Sequence, residues 1–419
     1  MTRVGVIGCG TAGAAAAILL ARLGCEVTVL ERVPAPKPIG AGILLQPTGQ
    51  AVMARMGLLE PIRARGSHIE RLYLRSDGGR TLADLHYGAI DPTWFGIGLH
   101  RGLLFETLYN AARTEPGVTV RTGCTVRGLH WDRGVPTILD GDGNAYGPFD
   151  LVVVADGAVS ELRGIAGTTT RDTAYPWGAL WFVTDDPDQV FTRELYQIGV
   201  RAHRLYGVLP TGKGAVSSGN EQPVVSLFWS MAARDVDAWR KSDLEAWKAE
   251  VRALDPRISF VLDRITSEEQ VTFARYRDVQ MSRWCDRGVV FVGDAAHAAS
   301  PQLGQGANLA LVDAWTLADC VREQLERGHA TGAAIEAALG DYARRRKQHL
   351  AYYQRMTRWL TPFFQSDSQL LGWVRDWVFP IANLIPPVRN HMIKTMAGVC
   401  TGFVGPRFAL PASPDQGDR

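Results

Sequence analysis

The apolar residues of this chain follow two patterns, short continuous runs and helical stripes, which alternate near its start and again around residue 290. Apolar runs at residues 4–7, 151–155 and 289–292 are typical of strands that are covered on both faces of a sheet. Residues 14–23 are strong helix formers, and residues 25–30 predict the next strand. The alternation predicts an α/β fold.

The middle of the chain changes to a pattern that predicts strands separated by turns. Residues 69–76 and 80–85 flank Asp77-Gly78-Gly79, which predicts a hairpin outside the first fold. A loop is predicted at 212–219, and the sequence Ser242-Asp243-Leu244-Glu245 predicts a capping box that opens a helix. Further strands are predicted at residues 177–184, 191–198, 200–209 and 224–231.

A glycine-rich turn follows the first strand and has the GxGxxG form of a dinucleotide fingerprint. Gly8 permits the turn, Gly10 lets the backbone approach a pyrophosphate, and Gly13 lets the helix pack closely on the strand. Glu31 ends the second strand, where a carboxylate can bind ribose hydroxyls. This acid favours an unphosphorylated ribose, which fits FAD and NAD equally.

A second glycine turn follows the strand at 289–292. Gly293-Asp294 places an acid at the carboxyl end of that strand, where open α/β sheets bind ligands. Pro301, Gly304 and Gly306 then lead into a helix from about Ala307, and a helix N-terminus after a glycine turn is an anion site. An ordinary strand-to-helix crossover remains the alternative.

Arg101 lies near the start of a predicted helix, where its charge opposes the helix dipole. A phosphate partner would explain that position, and a surface arginine is the alternative. The basic run at residues 344–347 also lies on a predicted helix and is interpreted as a solvated face.

Composition excludes several other classes of function. A net charge of +2 gives no electrostatic case for nucleic acid. The six cysteines include no CxxC pair and no metal-ligand spacing, so no metal site is predicted and reduced thiols of a cytoplasmic protein are expected. The first strand leaves no room for a signal peptide, and no apolar run reaches the roughly 18 residues that span a bilayer.

Three motifs in this order resemble the group A flavin monooxygenases of the para-hydroxybenzoate hydroxylase type. They are the fingerprint at residues 8–13, the DGxxSxxR motif from Asp156 to Arg163, and Gly293-Asp294 followed by PxxGQG at residues 301–306. The resemblance implies a Rossmann-like FAD-binding domain of the GR2 type with a discontinuous β-rich substrate domain and C-terminal helices. The implied bounds are 1–68, 99–174 and 283–345 for the FAD-binding domain, 69–98 and 175–282 for the substrate domain, and 346–419 for the C-terminal segment.

The resemblance also implies which residues bind FAD. Glu31 would bind the adenosine ribose, Arg101 would contact the cofactor, and the backbone of Val126 would neighbour the adenine. Asp294 would contact the ribityl and pyrophosphate region, and the turn from Gly304 would lie beside the isoalloxazine. The full predicted set is Gly8, Gly10, Thr11, Ala12, Gly13, Glu31, Arg32, Arg101, Val126, Asp156, Asp294, Pro301, Gly304, Gln305, Gly306, Ala307 and Asn308.

The implied activity is hydroxylation of an aromatic or polycyclic small molecule through a flavin 4a-hydroperoxide, with NADH or NADPH as reductant. No protein side chain is assigned as catalytic, because the cofactor performs the chemistry. Two alternatives stay open: a flavoprotein reductase or dehydrogenase on the same scaffold, and a flavin-binding protein without turnover. His297 is expected to have a structural or packing role.

The substrate pocket is expected on one face of the β-rich region. The sequence does not show which face, so each candidate is also a candidate core residue. The aromatic segment from about residue 350 is expected to pack on the enzyme, with membrane-surface contact or a homodimer contact as alternatives, and residues beyond about 406 are expected to be a loose end. The predicted substrate residues are Gln46, Trp181, Tyr196, Tyr206, Phe228 and Trp229.

Overall fold

A mostly parallel six-stranded sheet contains the three apolar runs, as predicted. A computed structural model describes residues 1–37, 40–165, 169–214, 221–328, 331–404 and 406–409. The sheet has the order β18-β19-β12-β1-β2-β8, and β18 pairs with β19 in the antiparallel direction. Its strands are β1 (Arg3–Ile7), β2 (Glu26–Glu31), β8 (Val118–Thr122), β12 (Leu151–Val154), β18 (Cys285–Asp286) and β19 (Val289–Phe291).

A second, seven-stranded sheet contains the β-rich middle of the chain and the predicted hairpin. Its order is β17-β13-β16-β15-β14-β5-β6, and all neighbours are antiparallel except β14 and β5. Its strands are β5 (Arg71–Ser76), β6 (Thr81–His86), β13 (Thr169–Asp185), β14 (Glu194–Val200), β15 (Arg204–Gly214), β16 (Gln222–Ala232) and β17 (Thr272–Met281).

Two three-stranded sheets complete the β structure of the described residues. One has the order β3-β7-β4 and lies between the two large sheets, and the other has the order β11-β10-β9. Their strands are β3 (Gly42–Leu45), β4 (Ser67–Ile69), β7 (Gly96–His100), β9 (Val126–Asp132), β10 (Val135–Asp140) and β11 (Ala145–Tyr146).

The helices cover the parallel sheet, back the seven-stranded sheet and form the C-terminal segment. The first helix is buried along its length, and its four consecutive alanines from Ala14 are fully inaccessible, which lets the helix lie close to the sheet. The helices are α1 (Thr11–Ala21), α2 (Pro47–Arg55), α3 (Leu59–Arg65), α4 (Arg101–Thr114), α5 (Val236–Trp239), α6 (Leu244–Leu254), α7 (Ser259–Leu262), α8 (Asp294–His297), α9 (Gly306–Glu326), α10 (Thr331–Leu360), α11 (Gln369–Leu384) and α12 (Pro386–Met396).

The elements differ from their predictions mainly in their bounds. β15 continues to Gly214 where a loop was expected, and residues 215–219 of that expected loop lie outside the described residues. α6 is capped by Asp243, whose carboxylate accepts the Glu245 N–H at 2.9 Å, so the predicted Ser242 cap is wrong. Within the described chain, no helix combines the length and apolarity that crossing a bilayer requires.

Candidate active site

In the first glycine turn, backbone atoms leave no room for a side chain at Gly8 or Gly13, whereas Gly10 faces open space. A Cβ at Gly13 would lie 2.0 Å from the Gly8 carbonyl oxygen, and one at Gly8 would lie 2.6 Å from that of Ala155. Gly8 also has φ +94°, a conformation that L side chains rarely adopt. By contrast, a Cβ at Gly10 would meet nothing within 4 Å. The turn therefore leaves free space at the glycine that should face a pyrophosphate.

Glu31 holds this turn from the end of β2. Its carboxylate accepts the backbone N–H of Cys9 at 2.8 Å and that of Val33 at 2.9 Å. Burial, with a smaller contribution from Glu31, raises the pKa of the Cys9 thiol to about 12, so the thiol stays neutral. Glu31 remains half-buried and faces the turn, and Thr11 and Ala12 begin α1 beside it.

The Asp156 motif follows β12, the strand next to β1. The Asp156 carboxyl is largely buried, which raises its pKa, and its Oδ1 atom has no hydrogen-bond partner among the described residues. Arg32 lies near enough to lower that pKa in part, and Gly157 beyond it leaves open space at a φ of +89°. A buried, unsatisfied carboxylate oxygen beside an open glycine is suited to a ligand hydroxyl.

Arg163, the last residue of that motif, has a structural role in the described chain. Its buried guanidinium donates to the carbonyl oxygens of Ala158 at 2.8 Å and Ala295 at 3.0 Å, and it pairs with Asp172 at 2.8 Å. It therefore ties the turn after β12 to α8, which carries Asp294, and to the seven-stranded sheet through β13.

Asp294 begins α8 with an exposed side chain, directly after β19. The turn before it is fixed from behind by Asp313 of α9, whose Oδ2 accepts the Gly293 N–H at 2.8 Å and the His297 Nε2–H at 2.5 Å. Oδ1 of Asp313 accepts from Arg346 Nε at 2.7 Å. His297 thus has the expected structural role.

The charges behind this turn form one buried network. Burial alone would raise the pKa of Asp313, but His297 and Arg346 hold the pKa well below its usual range. Arg346 also donates to His349 Nδ1, and His349 Nε2 donates to the Gly398 carbonyl at 2.7 Å. Burial and the Arg346 charge lower the pKa of His349 to about 3, so this imidazole is neutral.

The fully inaccessible Arg346 corrects the interpretation of residues 344–347 as a solvated face. Because an α-helix turns about 100° per residue, one member of a basic run can face the core while its neighbours face water. Asp313, Arg346 and His349 were not predicted from the sequence.

The second glycine turn leads from Pro301 to the start of α9. Gly304 has φ +61° and leaves open space where a Cβ would project. Behind it, the Gln305 side chain donates to the Met396 carbonyl at 2.7 Å, while its Oε1 and the nearby Ser300 Oγ are buried without partners among the described residues. Gly306 and Ala307 open α9, so their N–H groups lack intrahelical partners.

Asn308 joins this turn to the opposite wall of the site. Its Oδ1 accepts the Gln46 N–H at 2.8 Å, and its Nδ2 donates to the carbonyls of Gly304 at 3.0 Å and Leu44 at 3.1 Å. Gln46 is buried, and its carboxamide oxygen accepts from the hydroxyl of fully buried Tyr87. Gln46 therefore lies in the protein interior, between Asn308 and Tyr87.

Arg101 begins α4 with an exposed guanidinium that has no partner among the described residues. A Cβ at Gly40 would lie 3.0 Å from the Arg101 side chain, so the glycine leaves room for it. Val126 begins β9 and is half-buried. Ile39, which belongs to the segment expected near flavin and substrate, lies outside the described residues.

The register of the seven-stranded sheet shows which of its faces meets the cofactor side. β3, which precedes Gln46, lies against the face that carries Thr211 and Ser226, because a Cβ at Gly42 would be 2.6 Å from Thr211 and 2.8 Å from Ser226. Phe228 and Trp181 share this face, with ring centroids 5.2 Å apart. Trp181 Nε1 donates to the hydroxyl of Tyr276 at 3.4 Å.

Tyr206 and Trp229 pair across β15 and β16 on the opposite face, where they pack on α5 to α7. Tyr196 shares that cluster. The expectation that these three residues line the pocket is therefore wrong. Strand alternation allows either face to be apolar, and here both faces are covered. Tyr87 and Tyr276, which the sequence analysis missed, lie on the cofactor side.

FAD fits the residues present. Open space at Gly10, Gly157 and Gly304 accompanies buried unsatisfied oxygens at Asp156 and Gln305. The carboxyl ends of β1, β2, β12 and β19 meet at one edge of the sheet, which brings the three motifs together. No group of three or more His, Cys, Asp or Glu residues within the described ranges is arranged to hold a metal ion.

Comparisons with known proteins identify the same cofactor. Residues 1–356 match the family model described as FAD binding domain. The 6-methylpretetramide 4-monooxygenase of Streptomyces rimosus is 30% identical over 353 residues, which cover 83% of this chain and 81% of that protein. The 3-hydroxybenzoate 6-hydroxylase of Klebsiella oxytoca is 28% identical over 321 residues, covering 74% and 78%.

Solved structures share the fold. A probable FAD-dependent monooxygenase from Pseudomonas aeruginosa superposes with a TM-score of 0.76 at 22% identity, covering 89% of this chain and 99% of that one. A variant of HpxO from Klebsiella pneumoniae, complexed with FAD, gives a TM-score of 0.76 at 21% identity, covering 95% and 99%.

Proposed function

The chain belongs to the FAD binding domain family and is an FAD-dependent aromatic monooxygenase, and from this premise we propose that its substrate is a neutral, polycyclic aromatic molecule. A reduced nicotinamide is the co-substrate typical of this class. The proposal concerns which aromatic molecule the enzyme hydroxylates and which residues hold it.

The observation that carries the proposal is the composition of the cofactor-side face of the seven-stranded sheet. The central rows of this face are the cross-strand positions of β13, β15, β16 and β17 around Trp181 and Phe228. Trp181 and Phe228 lie there beside Tyr276, and all three side chains are half-buried. Their flat rings suit the faces of a fused ring system. The remaining positions of these rows are small or uncharged: Ala179, Val183, Leu205, Gly207, Leu209, Thr211, Ser226, Ser230 and Ala274.

The absence of a charged side chain from those rows distinguishes between kinds of aromatic substrate. A benzoate-type carboxylate held against this face would lose its hydration without gaining a cation, which costs several kcal/mol. A polycyclic phenol has no such charge to desolvate. The relative from Streptomyces rimosus is named for 6-methylpretetramide and the one from Klebsiella oxytoca for 3-hydroxybenzoate, so the face favours a substrate of the first kind.

The protein supplies binding, orientation and charge stabilisation. The motif residues Gly10, Glu31 and Asp156 would hold the dinucleotide, with Arg101 at its phosphates. The first turn of the 21-residue α9 directs free N–H groups and the positive end of its dipole at the second glycine turn, which stabilises negative charge placed there. Bound FAD supplies the redox chemistry that activates dioxygen. The apolar face excludes water from the substrate.

The proposal is tested by measuring nicotinamide oxidation and incorporation of labelled dioxygen with two sets of phenols. Fused-ring neutral phenols should stimulate oxidation and acquire the label, whereas 3-hydroxybenzoate should have little effect. Preferential turnover of the carboxylate would refute the substrate proposal. Nicotinamide oxidation without label in any product would instead indicate a reductase.

Two variants that each lack one hydroxyl provide a matched test of the assigned face. Tyr276→Phe on the cofactor side should raise KM for a fused-ring phenol or change the position of hydroxylation. Tyr196→Phe on the opposite face removes the same atom, at a hydroxyl that accepts from Arg75. It should leave KM and product unchanged at equal FAD content. Equal effects of the two substitutions would contradict the assignment.

A further inference from the structure

The outward face of α11 is apolar along its whole length. The residues concerned follow helical spacing and are each at least half exposed: Leu370, Trp373, Trp377, Val378, Ile381 and Leu384. From the first to the last of them the helix rises about 21 Å. Single exposed apolar residues are normal on a protein surface, but a contiguous stripe of this length marks a contact site.

The inward side of this helix carries the buried Arg375 together with Phe379, whose ring packs on Phe363 and Phe364. Arg375 is fully buried, and its guanidinium donates to the carbonyl oxygens of Arg201, Phe363 and Gly199 and pairs with Asp376. These bonds fix the rotation of α11 about its axis, so the apolar stripe cannot turn into the protein without leaving a buried charge unpaired.

The size of the stripe matches the requirement of a protein interface. At their exposed fractions the six residues offer on the order of 700 Å² of surface, close to the roughly 800 Å² that each partner of a standard interface buries. Tryptophans near the centre of such a patch are typical of residues that carry binding energy.

The lack of an exposed basic residue on α11 itself favours a protein surface over a lipid surface. Helices that lie on membranes carry lysines and arginines beside their apolar face. The basic residue of α11 is Arg375, which is buried and bound to carbonyls. Arg80 lies over the Trp377 ring at 4.7 Å, and both residue types are enriched at the centre of protein interfaces.

We propose that the α11 stripe is a homodimer interface, in which the stripe of one protomer packs on the same stripe of a second copy. An uncharged apolar face is complementary to itself, as a two-fold interface requires. Burial of both stripes would remove from water the largest apolar residues that the monomer exposes on this helix.

The test compares the mass of the FAD-loaded full chain with that of single-charge variants by light scattering and sedimentation over a range of micromolar concentrations. Wild type should be a dimer. Ile381→Glu and Trp373→Glu should each weaken dimerisation by about 100-fold or more, because each places two carboxylates in an apolar contact. FAD content and far-ultraviolet circular dichroism report that the variants are folded.

The matched control is Val190→Glu, a charge placed on an exposed apolar residue outside α11. It should leave the dimer intact. A monomeric wild type, or a dimer that resists both α11 variants, would overturn the proposal. Monomers that sediment with vesicles of phosphatidylcholine and phosphatidylglycerol, and lose this property in Ile381→Glu, would assign the stripe to a membrane surface instead. The oxygenase activity is independent of each outcome.

Discussion

One buried carboxylate outside the three sequence motifs fixes the turn that carries Asp294. Asp313 accepts hydrogen bonds from Gly293, His297 and Arg346, and so places the turn that carries Asp294. Its partners are 20, 16 and 33 positions away in the chain. Since no short pattern in the sequence encodes such a network, the motifs predicted the turn but not what holds it.

Asp313→Asn should therefore destabilise the enzyme strongly. The substitution leaves the Arg346 guanidinium buried without a countercharge, for which about 3–5 kcal/mol is typical. Urea unfolding followed by circular dichroism should show this loss, together with weaker FAD retention. The control is Asp319→Asn on the same helix, whose partners Arg322 and Arg345 are partly exposed, so the change should stay near 1 kcal/mol or less. Equal losses in the two variants would contradict the assigned role.

His349 predicts how stability depends on pH. The folded state holds its pKa at about 3, against 6.5 for an unperturbed histidine. Between these values the unfolded chain binds a proton that the folded chain does not, so stability is full above pH 6.5 and is lost as the pH falls, by up to about 1.4 kcal/mol per pH unit. His349→Gln keeps a donor and an acceptor but does not titrate.

Urea midpoints measured from pH 7.5 to pH 4.5 should therefore fall more steeply for wild type than for His349→Gln. The other histidines titrate in both proteins, so the difference between the two slopes isolates His349. Parallel slopes would show that the imidazole is not held neutral in the folded protein.

At the scale of elements, Gly10 and Gly13 of the fingerprint turn have different roles. A Cβ at Gly13 would collide with the Gly8 carbonyl at 2.0 Å, whereas one at Gly10 would meet nothing within 4 Å. Gly13→Ala should thus lower the stability of the apoprotein, by about 1–3 kcal/mol. Gly10→Ala should leave that stability unchanged but weaken FAD binding at least about tenfold, because its methyl group occupies space meant for the pyrophosphate.

Thermal unfolding of both apoproteins and titration with FAD separate these outcomes. A Gly10→Ala protein with normal FAD affinity would remove this glycine from the proposed cofactor site.

Strands β1, β2, β12 and β19 of the parallel sheet and the helices α1, α4 and α9 could be predicted from the sequence, because apolar runs, helix formers and glycine turns are local signals. The face of the seven-stranded sheet that lies on the cofactor side could not be predicted. Trp181 and Trp229 look alike as strand residues, and only the cross-strand register and the helices α5 to α7 place them on opposite faces. Which face is covered by helices depends on long-range packing.

At the scale of the whole molecule, the C-terminal segment is part of the site's foundation. Carbonyl oxygens of Met396, Ala397 and Gly398 accept from Gln305, the Thr48 N–H and His349. The expectation that this segment packs on the enzyme is confirmed for residues 396–398. The loose end expected beyond about residue 406 is wrong at Phe408, whose ring stacks on His349 with centroids 4.3 Å apart.

Deleting residues 386–419 should consequently abolish FAD retention, although the family match ends at residue 356. The deletion removes the acceptors of Gln305 and His349 and exposes the core beneath α12. Deleting only residues 410–419 keeps all of these contacts and should preserve both flavin content and unfolding temperature. Flavin absorbance after gel filtration distinguishes the two, and retention of FAD by the shorter protein would contradict this role.

The bond from Gln305 to Met396 also has a consequence for biosynthesis. Gln305 and Met396 are 91 positions apart in the chain. The Gln305 side chain therefore leaves the ribosome before the carbonyl group that accepts its hydrogen bond has been synthesised. At ordinary translation speeds that delay is roughly 5 to 20 s. Nascent chains stalled before residue 396 should therefore be unable to bind FAD. FAD binding would then be one of the last events in the synthesis and folding of this enzyme.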